Sequence, residues 1–153
     1  MSQGINSALT HLEDKLMEIT PKSDTHHGFV ALARAGGSTI PLTQRSHSTR
    51  YFELAISSFT SDDGAAGLSG RRRATINLNV RYDIPHDALF LQRLIAEDAE
   101  SLLVKLKGPE YDFANTGIVS VIPEPPSVLP VDPVNDTGAL LLTIPFILLY
   151  LEA

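Results

Sequence analysis

The clearest pattern in the sequence is a strict alternation of apolar and polar residues over 74–84. The even positions are apolar, and the odd positions are Thr75, Asn77, Asn79, Arg81 and Asp83. Because successive side chains of a strand point to opposite faces, the pattern predicts a strand with one face on a core and the other in water. Residues 51–59 alternate similarly, and IVSVI at 118–122 is typical of another short strand.

Two other segments follow the helical repeat. Apolar residues recur at helical spacing over 5–19, and Thr20-Pro21 ends this amphipathic helix. A second helix is expected from Pro85-His86-Asp87 to Gly108-Pro109, with proline and aspartate suited to its first turn. Its predicted buried stripe consists of Leu91, Ile95, Ala99, Leu102 and Leu106. Glu97 and Asp98 are assigned to the exposed surface of this helix.

The chain closes on GALLLTIPFILLYLEA, in which 139–151 lack any charge. A membrane-spanning helix needs about 20 apolar residues, and Pro145 interrupts this shorter run, so neither an anchor nor a helix is expected. The segment predicts a strand that is apolar on both faces. One face can pack on the helices, and we expect Ile147, Leu149 and Leu151 on the other face to contact a neighbouring subunit.

Three segments lack periodicity and predict long loops. Residues 20–49 are rich in Gly, Ser, Thr and His, and we expect them to form a projecting arm that becomes ordered against a partner. The glycine-rich residues 60–72 predict a hairpin connection, and the prolines between Pro123 and Pro133 predict a stiff connector. Together the elements predict an α+β fold for a single domain, 1–153. It has a twisted, antiparallel-dominated sheet of about four strands, two helices on one face and long loop insertions.

The charges are unevenly distributed. Up to Lys107 the chain has twelve basic and twelve acidic residues, and beyond it six acidic and none basic, which accounts for the net charge of −6. This balance argues against general nucleic-acid binding, but it allows an acidic surface that DNA passes. The absence of cysteine excludes disulfides and thiolate chemistry. The N-terminus has no basic segment before an apolar one, so neither a secretory signal nor a membrane location is expected.

No set of residues predicts catalysis, a cofactor or a metal. His11, His26, His27 and His47 lack metal-ligand spacing. GAAGLSGRRR is followed by a strand rather than by the helix that a phosphate-binding loop requires. Arg71, Arg72, Arg73 and Arg81 either lie in solvent or face acidic groups of a neighbouring subunit, and they cannot all share one face of a strand. We therefore expect no enzyme.

In element order and local texture the chain resembles the tail terminator (tail completion, or tail-to-head joining) proteins of long-tailed, siphovirus-type bacteriophages. The resemblance rests on RRRATINLNVRYDIP, RLIAEDAESLLVKL and the closing apolar segment, and it covers residues 5–19 and 50–153. The segment 20–49 is unmatched.

The resemblance implies a structural virion protein without cofactors, active in the host cytoplasm during assembly and then at the head-proximal end of the tail. There it would form a ring, expected to be a hexamer, that stops polymerisation of the tube. Its partners would be copies of itself, the tail tube protein and the head completion or neck protein, with DNA only passing through the lumen. The alternatives are another head–tail connector or tail tube protein, or a small-molecule binding module.

Overall fold

The computed structural model describes residues 4–22, 28–31, 50–61, 71–83, 88–107, 117–130 and 139–151. Within these ranges the chain forms two helices and six strands. In chain order they are α1 (Ile5–Met17), β1 (Val30–Ala31), β2 (Tyr51–Ser61), β3 (Arg71–Asp83), α2 (Ala88–Leu106), β4 (Ile118–Pro123), β5 (Ser127–Pro130) and β6 (Ala139–Leu151).

The strands form one mixed sheet in the order β1-β2-β3-β6-β4, with β5 also paired to β6. Every pairing is antiparallel except that of β1 with β2. The prediction of an α+β fold with an antiparallel-dominated sheet is confirmed, but the sheet has six strands instead of about four. The two additional strands, β1 and β5, are only two and four residues long, too short to show a period of two in the sequence.

The strand β5 corrects the prediction of a connector between Pro123 and Pro133. Pro123 ends β4, residues 124–126 connect, and Ser127–Pro130 run beside β6. Pro123 and Pro130 are compatible with the ends of β4 and β5, because a strand at the edge of a sheet needs hydrogen bonds on one side only.

Residues 28–31 fall inside the segment 20–49 that was predicted to project. Phe29 and Ala31 are buried in the core, and Val30–Ala31 pair with the start of β2. Residues 23–27 and 32–49 lie outside the described residues, so the arm stays a prediction there.

The centre of the sheet is the β3–β6 ladder, which runs without a break from Arg71↔Leu151 to Asp83↔Ala139. Pro145 lies in the middle of this central strand and has no amide hydrogen. Its carbonyl accepts a hydrogen bond from the Glu124 amide, 2.8 Å away, on the side of β4 and β5. Since the N and C=O of one strand residue point the same way, the missing donor also faces that side, where the neighbouring strand is interrupted between Pro123 and Ser127. The ladder with β3 therefore loses nothing.

Both helices pack on the sheet face formed by the even-numbered residues of β3 and β6. The largest fully buried sheet side chains on this face are Phe52, Ile76, Leu78, Ile118, Leu142, Ile144 and Phe146. They meet Ala8, Leu12 and Leu16 of α1 and the stripe of α2, including Leu102 and Leu106. The predicted arrangement of two helices on one face is thus observed. The start of α2 predicted at residues 85–87 lies outside the described residues.

Helix α1 is tied to the end of β6 through backbone hydrogen bonds. The Gly4 amide donates to the Leu151 carbonyl at 3.0 Å, and the Leu151 amide donates to the Gly117 carbonyl at 2.8 Å. Gly4 has φ 101° and Gly117 φ 72°, backbone conformations that glycine adopts without steric cost. At its other end α1 stops at Met17, two residues before the predicted Ile19. The Glu18 and Ile19 amides donate to carbonyls three residues back, closing a tighter final turn.

We predict that Phe146→Ala lowers the free energy of unfolding by about 3–5 kcal/mol, because it opens a cavity under both helices at a fully buried site. Val104→Ala is the matched control. Val104 is 72% exposed on α2, and alanine is the better helix former, so stability should not fall. Urea unfolding followed by circular dichroism measures both, and equal losses would contradict this description of the core.

Candidate subunit interface

The sheet face opposite the helices has a polar row between two apolar regions, the smaller of which is the cross-strand pair Leu129 and Leu141. In the polar row the Asn79 side-chain amide donates to Glu53 Oε1 at 3.2 Å, and the Thr143 hydroxyl donates to Asn79 Oδ1 at 2.9 Å. These bonds link β2, β3 and β6 in one row. Because these side chains satisfy one another's hydrogen-bonding groups, the row is stable without contacts to another chain.

The larger apolar region lies on the same face near the end of β6, and we call it the outer apolar patch. It consists of Ile122 of β4 and Ile147, Leu149 and Leu151 of β6. Ile122 and Ile147 are cross-strand neighbours. Ile122 is 49% exposed, and the three β6 residues are partly exposed, whereas the even-numbered residues of β6 from Leu142 to Leu148 are fully buried. The structure thus brings the three predicted β6 contact residues together on one open surface.

The arginines predicted to contact a neighbouring subunit separate into different environments. Arg72 and Arg73 are exposed and alternate between the two sheet faces, as expected for neighbours on a strand. Arg73 pairs with Leu149 and therefore borders the outer apolar patch. Arg81 is buried even in the single chain, which leaves its guanidinium little surface for another subunit. The side chain of Arg71 lies outside the described residues.

The described residues also contain a buried polar cluster, made of Arg50, Tyr82 and Asp98. Arg50 Nε donates to Asp98 Oδ2 at 2.6 Å and Nη2 to Oδ1 at 3.3 Å, while the Tyr82 hydroxyl donates to Oδ2 at 2.6 Å. The guanidinium carbon lies 5.7 Å from the centre of the Phe29 ring, within range of a cation–π contact. All three polar residues are at most 3% exposed, so no substrate reaches them.

The cluster corrects the assignment of Asp98 to the helix surface. Asp98 is fully buried, because it lies three and four residues from the core residues Ile95 and Leu102. The spacing of the apolar residues in α2 therefore indicates that Asp98 is buried, although its charge favours an exposed position. A buried carboxylate needs a cation and hydrogen bonds, which Arg50 and Tyr82 supply from distant positions in the sequence. Burial, and then the negative charge of Asp98, raise the pKa of Tyr82 well above 10.0.

Arg50 has φ 49°, the one positive φ among the described residues other than glycine. Its carbonyl accepts a hydrogen bond from the Val30 amide at 3.2 Å, so the same residue joins β1 to β2 and anchors α2. We interpret the strained backbone as the consequence of these simultaneous contacts, which fix the residue from both sides.

An apolar groove of about 460 Å³ runs between α2 and the strands β5 and β6. Its described lining is Gln92, Ile95, Ala96, Ala99, Pro126, Val128, Leu140 and Leu142. Gln92 is the one polar side chain of that lining.

Among the described residues no three acidic or histidine side chains are close enough to hold a metal ion. His26, His27, His47 and the glycine-rich residues 64–70 lie outside those residues. Neither described helix is long and apolar enough to cross a membrane.

Comparison of the sequence with protein-family models gave no match, and comparison with curated proteins gave none either. The outer apolar patch and Arg73 beside it are therefore the features from which a function must be inferred.

We predict that Tyr82→Phe flattens the alkaline dependence of stability. The folded protein raises the pKa of Tyr82, so the stabilisation is complete below pH 10.0 and is lost as pH rises from there through the folded pKa. The free energy of unfolding, measured in urea at a series of pH values above 10, should fall more steeply for the wild type. Parallel curves for the two proteins would contradict the prediction.

We further predict that Asp98→Ala lowers the free energy of unfolding by about 3–5 kcal/mol, because it leaves the Arg50 charge buried without its partner. Glu100→Ala on the same helix is the control. Its ion pair with Lys22 is solvent-exposed, at 4.0 Å, so its loss should cost no more than about 1 kcal/mol. Similar losses in the two variants, measured by urea unfolding, would show that the buried cluster contributes little.

Proposed function

We propose that this protein is a structural virion protein that forms a ring, expected to be a hexamer, at the head-proximal end of a bacteriophage tail tube. There it stops polymerisation of the tube and provides the surface to which the head or neck protein attaches. The carrying observation is the outer apolar patch, which a single chain leaves partly open next to the exposed Arg73.

Burial of this patch against another chain favours association. Ile122, Ile147 and Leu149 are large side chains, and each gains about 1.5–3 kcal/mol when it is fully removed from water, less what it already buries in the single chain. Arg73 lies at the rim, where a charge selects the partner more than it adds affinity. An acidic neighbour is the complement that such an arginine favours.

The charge distribution supports the proposal in a second way. All six residues of excess negative charge follow Lys107, and this excess disfavours general affinity for a phosphate backbone. A ring through which DNA must move needs a surface that does not bind DNA. The partners in this proposal are further copies of the chain, the tail tube protein and the neck protein, and DNA only passes through the lumen.

The proposal assigns no reaction to the protein. The buried cluster of Arg50, Tyr82 and Asp98 is closed to solvent, and its groups satisfy one another. The same observations are compatible with another head–tail connector or a tail tube protein. Electron microscopy of the purified protein identifies a tube protein, because a tube protein forms long tubes whereas a terminator forms short rings.

A small-molecule binding module is a second candidate, which the apolar groove favours. Its volume falls within the range of ligand pockets, but such pockets usually combine apolar walls with several convergent polar groups. Decanoate is a suitable probe, since an aliphatic chain needs few polar contacts. A rise in melting temperature that saturates with decanoate and is abolished by Ala99→Trp would support this candidate.

We predict that replacing Ile147 and Leu149 together by glutamate abolishes ring formation and leaves the monomer folded, because both side chains point away from the core. Negative-stain electron microscopy and circular dichroism measure the two properties. Val104→Glu is the control, since it places a charge on an exposed apolar position on the helix side of the sheet. Rings formed by the double variant would exclude the patch as the interface.

We also predict that a phage lacking this gene makes normal heads and tails of irregular, mostly excessive length that are not joined to heads. Electron microscopy of the lysate measures tail length, and supply of the wild-type gene from a plasmid should restore uniform tails. Tails of normal length attached to heads in the deletion would refute the proposed function.

A further inference from the structure

The exposed large hydrophobic residues of the described part of the chain concentrate at the two edges of the sheet. They are Val30, Ile56, Phe59, Val104, Ile122, Val128 and Leu129. All but Val104 belong to the edge strands, with β1 and β2 on one side and β4 and β5 on the other. Exposed edges are usually protected by charges or covered, because they invite pairing with another strand. Two apolar edges in one sheet therefore indicate surfaces that are covered in the assembly.

The two edges are open at the same level of the sheet, which here means the same position along the strand direction. Register across the sheet places Phe59 beside Ala74, Ala74 beside Leu148, and Leu148 beside Val121. On one side β1 pairs only with Tyr51 and Phe52, and no other described strand pairs with β2 further along that edge. On the other side β4 has β6 as its one described partner.

Backbone direction makes these two positions complementary. The Pro145 carbonyl faces β4, as its bond from Glu124 shows, so the N–H and C=O of Leu148, three residues on, face β3. Its partner Val121 therefore points its own N–H and C=O out of the sheet. On the other side, Leu148 is hydrogen-bonded to Ala74, so the N–H and C=O of Ala74 face β6. Its partner on β2, Phe59, therefore points its own N–H and C=O away from β3, out of the opposite edge of the sheet.

We propose that β2 of one copy of this chain pairs with β4 of the next, with Phe59 and Val121 opposite each other as a hydrogen-bonded antiparallel pair. The contact rests on the proposed ring and adds a pair of strand edges to the outer apolar patch as surfaces between neighbouring copies. Each residue donates its N–H to the other's carbonyl, and both side chains lie on the helix side, where Phe59 is 58% exposed and Val121 partly so.

A second copy fits this site because one chain carries both halves of it. Strand β2 runs opposite to β3, and β4 runs in the direction of β3, so β2 and β4 are antiparallel. Rotation about an axis along the strands preserves these directions, and a closed ring has no rise along its axis. Copies related in this way meet at the same level, which is the level that Phe59 and Val121 share. Pro123 lacks a donor and limits the pairing to the β4 residues before it.

Cysteine cross-linking tests this contact without interference, because the chain has no cysteine of its own. A Phe59→Cys chain is mixed with a Val121→Cys chain of different length, oxidised, and analysed on a non-reducing gel. The control mixture replaces Val121→Cys by Val128→Cys, which lies on the same edge and on the same sheet face but at the level of Phe52, where β1 occupies the opposite edge. We expect about tenfold more heterodimer from the first mixture, since a disulfide needs Cα atoms about 4.4–6.8 Å apart.

Proline substitution gives a second test that does not depend on thiols. Val121→Pro removes an outward N–H that the sheet of the single chain does not use, so the monomer should fold and its rings should be lost. Val128→Pro removes an equivalent outward N–H of β5 and should retain the rings. Circular dichroism checks folding, and electron microscopy counts rings.

The outcomes separate this contact from the ring itself. Wild-type rings together with equal cross-linking in the two mixtures, or rings retained by Val121→Pro, would overturn the contact and leave the ring standing. A chain carrying both Phe59→Cys and Val121→Cys cannot close on itself, since three strand spacings of about 4.8 Å separate the positions. If it forms covalent oligomers that stop at one size, the ring and the contact are both supported. If the oligomers grow without limit, the contact stands and the ring fails.

Discussion

The antiparallel ladder between β3 and β6 is the interaction on which the remaining structure depends. It joins every residue of β6 to a residue of β3, and each other strand except β1 pairs directly with one of these two. The helices pack on its even-numbered face, and the outer apolar patch lies on its odd-numbered face. A slip of one residue in this register would exchange the two faces of β6. Such a slip would also turn the missing donor of Pro145 toward β3, whereas the observed register places it at the break between β4 and β5.

The buried cluster of Arg50, Tyr82 and Asp98 adds a different kind of constraint. A carboxylate in an apolar core costs free energy unless its partners are in place, so it penalises any packing of α2 that separates it from Arg50 and Tyr82. Hydrophobic side chains alone would tolerate small rotations or shifts of the helix. The cluster thus contributes more to specifying the position of α2 relative to the sheet than to the stability of the core.

Much of this fold could be predicted from the sequence, and the omissions have physical reasons. The alternation around Leu78 and the spacing of Leu91, Ile95 and Leu102 are produced by burial on one face, so periodicity reveals them. Strands β1 and β5 are shorter than the windows in which a period is measurable. Asp98 was misassigned because a charged residue on an apolar stripe is interpreted by its charge, whereas its cation comes from forty-eight residues away. The composition of β6 predicts that its outer face is apolar. The strand register is needed to know which of its side chains lie beside those of β4. The burial of Arg81 has no signal in the sequence, since it alternates like the partly exposed Asn77 and Asn79.

The short parallel pair of β1 and β2 has a consequence for how this chain can change during evolution. Val30 and Arg50 are hydrogen-bonded, and Phe29 and Arg50 are in contact, so the two ends of the intervening segment are held together by the core itself. The entropy of closing a loop between fixed ends grows only logarithmically, by about 0.6 kcal/mol for each doubling of its length. A change in the number of residues between 32 and 49 therefore adds little to the entropic cost of holding these two ends together.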